Sequence, residues 1–74
     1  MDYMIFPNNL REVRIEKQRS QDNVAKATGI SRSTVANIEA GRQEPSIVKA
    51  YYIAAYLDEP LLKIFPFEKE VQIK

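Results

Sequence analysis

With 74 residues and neither cysteine nor histidine, the chain has length for one small domain and no means of stapling it with disulfides or a soft-ligand metal site. A domain of this size buries only about 60% of its unfolded surface, so oligomerisation is the remaining way to extend the core. The formal charge is +1, but residues 8–49 carry eight Lys/Arg against five Asp/Glu and residues 50–74 carry three against four, so the positive balance lies in the first two thirds. Without His or Cys, catalysis would need a carboxylate pair or an activated Ser or Lys in a cleft, and a small helical domain offers little cleft. The composition therefore argues against an enzyme, and no metal, cofactor or small-molecule ligand is expected. The apolar run at residues 1–7 is too short for a signal peptide and lacks a basic flank, and no segment reaches transmembrane length. A cytoplasmic protein without membrane contact is the expectation.

In chain order, Tyr3–Phe6 is the first strand-like run. The first helix is expected from Asn8 or Asn9 to about Gln18, with Asn9 and Glu12 at capping-box spacing. Leu10, Val13 and Arg14 share its inner face, and a charge there needs a partner; Glu39 is the candidate. Ser20 is a good cap for the second helix, in which Val24 and Ala25 face inward. Gly29 stands where the chain must reverse in a left-handed conformation. Ser31 caps the third helix, whose Val35 and Ile38 share the inner face and leave Arg32, Ser33, Ala36 and Asn37 outside. Two short helices joined by one tight glycine turn, the second with a polar, basic outer face, is the layout of a helix-turn-helix whose second helix enters the DNA major groove. An αα-corner in an ordinary bundle gives similar caps and a glycine; the fixed spacing of small residue, glycine, cap and apolar pair is what separates the two.

Residues 41–45 read as a loop, and Pro45-Ser46 opens a fourth helix with Ile47, Ala50, Tyr51, Ala54 and Leu57 as its buried stripe. Asp58-Glu59-Pro60 interrupts it, with Pro60 suited to the first position of a short fifth helix through Phe65. Residues 67–73 alternate apolar and polar side chains, a strand signal. The two ends are predicted to pair antiparallel, with a frayed tail as the alternative. The fold class is thus mainly α: one domain over 1–74, a helical core of about 8–66, and a two-stranded sheet from 3–6 and 67–73.

Arg14-Ile15-Glu16-Lys17, Ser20-Gln21, Val24-Ala25, Gly29 to Val35, Ile38 to Gly41 and Pro45-Ser46 together resemble the Cro/C1-type helix-turn-helix family, also called the xenobiotic-response-element type. The resemblance covers roughly Asn9 to Phe65. With its apolar ends the chain is similar to small dimeric bacterial repressors such as the cytolysin-operon repressor, in which the two ends form a small sheet. The resemblance implies that Arg32, Ser33, Ala36 and Asn37 read bases. It implies that Gln21 and Arg42 contact phosphates, and that Arg14 and Glu39 tie the first helix to the third. Arg19 and Lys26 are further backbone candidates. Arg32 carries most of the readout by chemistry, since it can donate twice to guanine O6 and N7; contact with phosphate alone is its alternative. Arg19 and Thr28 depart from the family, which usually has an apolar residue and a leucine there. Either the local core is looser or these side chains find polar partners. Leu62 replaces a usually acidic position. Tyr52, Tyr56, Leu61, Leu62 and Phe65 are the expected dimer surface, the tyrosines' alternative being to cover the core. The reading is a homodimeric regulator, a repressor of an inverted-repeat operator in double-stranded DNA. Its alternatives are the antitoxin of a toxin–antitoxin pair and an adaptor that keeps the fold without reading DNA.

Overall fold

The structure, a computed structural model, describes residues 6–66. Among the described residues five helices follow one another: α1 (Leu10–Glu16), α2 (Gln21–Thr28), α3 (Arg32–Glu39), α4 (Ile47–Leu57) and α5 (Leu61–Ile64). The expected sheet falls on 3–6 and 67–73, outside the described residues except for Phe6, whose N–H donates to the Gly41 carbonyl at 3.0 Å. Among the described residues there is no strand.

Serine starts three of the helices. Ser20, Ser31 and Ser46 each sit in extended backbone and accept a hydrogen bond from the N–H three residues on, satisfying one of the donors a helix start leaves open. At Ser20 the exchange is reciprocal, because the Asn23 side chain accepts from the Ser20 N–H at 2.8 Å. Helix α1 starts differently from the expectation. Asn9 makes no side-chain cap; Asn8 Oδ1 accepts from the Leu10 N–H at 3.0 Å, and Asn9 turns its amide to the Lys63 carbonyl at 2.9 Å. The capping box with Glu12 is therefore absent, since two adjacent asparagines divided the work between the cap and a tie to α5.

Helix ends share a device too. After α1, the N–H of Gln18 reaches the Ile15 carbonyl and that of Arg19 reaches Arg14. The same 5→2 and 6→1 pair closes α3 around Gly41 and α4 around Asp58. Each needs a left-handed residue, and Gln18 (φ 59°) and Asp58 (φ 56°) supply it without being glycine. This is why α1 stops at Glu16, short of the predicted Gln18. Helix α2 ends on Gly29 at φ 75°, as its position demanded. Pro60 precedes α5 as its cap residue and is not its first turn.

The core is one cluster: Leu10 and Val13 of α1; Val24 and Ala25 of α2; Ile30; Val35 and Ile38 of α3; Ala50, Ile53, Ala54 and Leu57 of α4; and Ile64 and Phe65. Tyr56 and Leu61 pack against it half-buried. The α4 stripe is rotated from the prediction. Ile53 is fully buried, whereas Ile47 and Tyr51 are 62% and 64% exposed. Residues 50, 53, 54 and 57 make the better i, i+3, i+4, i+7 face, and a stripe drawn through Tyr51 lost it by favouring the larger side chain. Phe65, expected on a dimer surface, is 1% exposed and belongs to the core.

Candidate nucleic-acid interface

The four side chains expected to read bases lie on α3, which is held from both ends. At its start Ser31 accepts from the Thr34 N–H at 3.2 Å, and its hydroxyl lies 2.8 Å from Thr34 Oγ1 and 3.3 Å from Ser33 Oγ. Arg32 and Ser33 occupy the first turn, exposed. Ala36 and Asn37 follow one turn on, half-buried, and Asn37's carbonyl accepts the Arg42 N–H at 3.0 Å. Arg42 thus leaves directly from the end of α3, also exposed.

Near the far end of α3, Glu39 joins three helices. Arg14 of α1 grips its carboxylate with two bonds, Nε to Oε2 at 2.7 Å and Nη2 to Oε1 at 3.1 Å. Gln21 of α2 adds Nε2 to Oε1 at 3.0 Å. The remaining Arg14 nitrogen, Nη1, donates to the Arg19 carbonyl at 2.9 Å. The Glu39 side chain is 8% exposed and that of Arg14 15%, so the pair is largely withdrawn from water with its polar groups satisfied. Burial pushes the Glu39 carboxyl up, but the hydrogen bonds from Arg14 and Gln21 and the charges of Arg14 and Arg11 outweigh it and hold it below its ordinary range. The bond to Glu39 raises Arg14 in turn, against a smaller opposing effect of burial. The pair ties α1 to α3 and α2 to both, so it sets the pose of the outer face.

The backbone candidates differ in what they have free. Gln21 gives one amide N–H to Glu39 and keeps the second. Arg42 and Arg32 have no carboxylate within ion-pair reach among the described residues. Lys26 pairs with Asp22 at 3.3 Å across one exposed turn of α2. Arg19 lies over the Tyr56 ring, its guanidinium carbon 5.9 Å from the centroid. Two contributors escaped the sequence reading. Asn8 donates to the Ile38 carbonyl at 2.8 Å and so pins the last turn of α3; an asparagine pair before a helix gives no sign of which one reaches across. Arg11, exposed one turn before Arg14, acts on Glu39 by its charge, and its i, i+3 spacing was the available signal.

The side chains of the expected dimer surface differ in exposure. Leu62 is 49% exposed on α5, and Leu61 is half-buried against the core. Tyr52 and Tyr56 instead line a groove of about 440 Å³ with Ala55 and with Ala27 and Thr28 of α2. Further exposed apolar side chains, Ile47, Val48 and Tyr51, stand on the outside of α4.

The profile of the helix-turn-helix family matches residues 10–64, the span from the first residue of α1 to the last of α5. The chain belongs to the Cro/C1-type helix-turn-helix family. It is a transcriptional regulator of that DNA-binding type. An HTH-type transcriptional regulator of Archaeoglobus fulgidus is 33% identical over 61 residues, 82% of this chain and 86% of that one. The cryptic phage CTXphi transcriptional repressor RstR of Vibrio cholerae is 25% identical over 60 residues, covering 81% of this chain and 54% of that protein. Among solved structures, the restriction-modification controller protein C.AhdI of Aeromonas hydrophila superposes with a TM-score of 0.73 at 35% identity, over 77% of this chain and 86% of that one.

For a helix-turn-helix regulator, the layout is coherent. The turn at Gly29 separates α2 from α3, the outer face of α3 carries one long cation at its start, and Glu39 anchors the helix from behind. Among the described residues no helix is long and apolar enough to cross a membrane.

Proposed function

We propose that this regulator is a homodimeric repressor that binds an inverted-repeat operator with α3 in the major groove. Arg32 reads guanine through paired hydrogen bonds, Ser33 and Asn37 add tolerant polar contacts, and Ala36 admits close approach or a thymine methyl. Gln21 and Arg42 hold phosphates on either side of the reading face, and DNA shape supplies what so short a set of base contacts leaves open. Lys26 is a minor backbone contact, since it must first leave Asp22, and Arg19, held over Tyr56, is left out of the DNA contacts. The observation that carries this reading is the exposed Arg32–Ser33 start of α3 on a helix tied from behind by Glu39 to Arg14 and Gln21. Leu62 and the open edge of Leu61 form the dimer contact. It sets two reading helices about 34 Å apart, in successive major grooves. Tyr52 and Tyr56, expected on the same contact, line the groove beside α2 and are kept as the second candidate for that contact.

A second reading, the antitoxin of a toxin–antitoxin pair, is favoured by one observation: Ile47, Val48 and Tyr51 add exposed apolar surface on α4 beyond what a contact at Leu62 uses. The test is binding selection on a random duplex library, wild type against Arg32→Ala, at two salt concentrations. The proposal expects an enriched inverted repeat that blurs at one position per half-site in Arg32→Ala. Salt-sensitive binding with no enriched motif would leave only backbone attraction and sink it.

A further inference from the structure

The groove between α2 and α4 has features that reading DNA does not call for. Its walls are small side chains, Ala27, Thr28 and Ala55, and its edges are Tyr52 and Tyr56. Two polar side chains shape it. The Thr28 hydroxyl turns back to the Val24 carbonyl at 2.7 Å, so a short side chain with its polar atom bonded inward stands at the groove. Arg19 lies over the Tyr56 ring, 5.9 Å from its centroid, which brings a cation to that edge residue.

A cation accompanies each of its tyrosines. Lys49 precedes Tyr52 by three residues and Tyr56 by seven, so all three share one face of α4. Neither Arg19 nor Lys49 has a carboxylate within ion-pair reach among the described residues. On α2 the residue one turn before Ala27 is Asn23, which is neutral, while Asp22 is paired with Lys26 on the neighbouring face. An aromatic-edged groove with small walls and unpaired cations is complementary to an acidic segment carrying one aromatic anchor. It is a poor match for a second copy of itself, because in a two-fold contact the groove would face the same patch, which offers Arg19 and Lys49 no carboxylate.

We propose that the α2–α4 groove is a docking site for an acidic, aromatic-anchored peptide segment of a partner protein, separate from the DNA-reading face. The anchor ring sits between Tyr52 and Tyr56 over Thr28, and flanking carboxylates meet Arg19 and Lys49.

The test uses the full chain and a synthetic heptapeptide of Asp and Glu with one central Phe, followed by backbone amide shifts. Shifts are expected at Ala27, Thr28, Ala55 and Tyr56, and they persist when the protein is bound to duplex DNA. Replacing the Phe of the probe by Ala weakens binding by about tenfold or more, as expected for a lost buried ring. Thr28→Leu, which puts a larger apolar side chain at the wall, fills the groove and loses the probe. Ala55→Glu loses it by repulsion, so the result does not hang on one variant. Both variants keep the duplex affinity of the wild type. The proposal is overturned if the shifts fall on Arg32, Ser33 and Arg42 instead, which would make the probe a mimic of the DNA backbone. It is equally overturned by no shift, by free phenylalanine amide binding as tightly as the peptide, or by Thr28→Leu converting a dimer to a monomer. The last result would make a second copy the occupant. Because duplex binding is measured on the same samples, loss of the operator reading is told apart from loss of this one.

Discussion

Glu39 is the residue on which most depends, and its behaviour with pH follows from its partners. Its carboxyl is held below the ordinary value of 4.5 because the bonds from Arg14 and Gln21 and nearby cations outweigh burial. A carboxylate whose folded pKa is depressed contributes stability that is fully present above its unfolded pKa and is lost as pH falls through the folded one. Urea midpoints of the wild type are therefore expected to fall below about pH 4.5, and those of Glu39→Gln to fall less steeply. Glu59, lowered by Lys17 and Lys63, titrates in the same direction in both proteins, so the difference between the two curves isolates Glu39. At neutral pH, Arg14→Ala removes two bonds to a nearly buried carboxylate and is expected to cost about 1–3 kcal/mol. Equal acid profiles in wild type and Glu39→Gln would mean the tie contributes nothing.

Backbone conformation gives a second residue-scale contrast. Gly29 and Gln18 both end a helix in the left-handed region, at φ 75° and 59°. A Cβ built on Gly29 meets nothing within 4 Å, so Gly29→Ala carries only the conformational term, about 1–2 kcal/mol. Gln18 already bears that term, and Gln18→Gly is expected to raise the denaturation midpoint by a comparable or smaller amount. A destabilised Gln18→Gly would show that the glutamine side chain contributes more than its backbone costs.

At the scale of elements, α3 separates two kinds of contact. Arg32 stands in its first exposed turn, and Arg42 leaves from its last. Arg32→Ala is expected to relax sequence preference at one base pair per half-site, by about 1–3 kcal/mol of discrimination. Arg42→Ala is expected to weaken all duplexes alike and to lower the slope of log affinity against log salt by about 1 per protomer. A swap of these behaviours would turn Arg32 into the phosphate contact and overturn the reading face as proposed. The elements themselves were largely legible in the sequence. Three serines in cap positions, Gly29 at the turn, and the apolar pairs of α2 and α3 each have a local cause and kept their places. What was missed depends on distant contacts. Nothing local distinguishes Asn8 from Asn9 until Ile38 and Lys63 are brought alongside. On α4, nearly every position is apolar, so periodicity alone did not choose between Tyr51 and Ile53, and packing did. Phe65 followed the same rule: an apolar residue after a short helix reads as surface or core with equal ease, and the cluster of α1 and α4 took it.

For the whole molecule, the proposed dimer needs a surface that joins two copies. Among the described residues the core holds thirteen buried apolar side chains, and none of the six large exposed ones belongs to it. Leu62 is the exposed member on α5, half open to solvent, so a charge placed there disturbs little inside the protomer. Leu62→Glu is thus expected to leave the thermal midpoint at dilute concentration nearly unchanged while halving the sedimenting mass at higher concentration. Binding to an inverted repeat depends on both half-sites being held together, so the variant is expected to lose most of that affinity while keeping its weaker affinity for a single half-site. Half-site affinity is the informative control, because it reads α3 alone. If Leu62→Glu lost half-site binding as well, the substitution would have reached the protomer's fold. If it kept both the dimer mass and the inverted-repeat affinity, the contact would lie elsewhere, and Ile47, Val48 and Tyr51 on the outside of α4 would be the surface to change next.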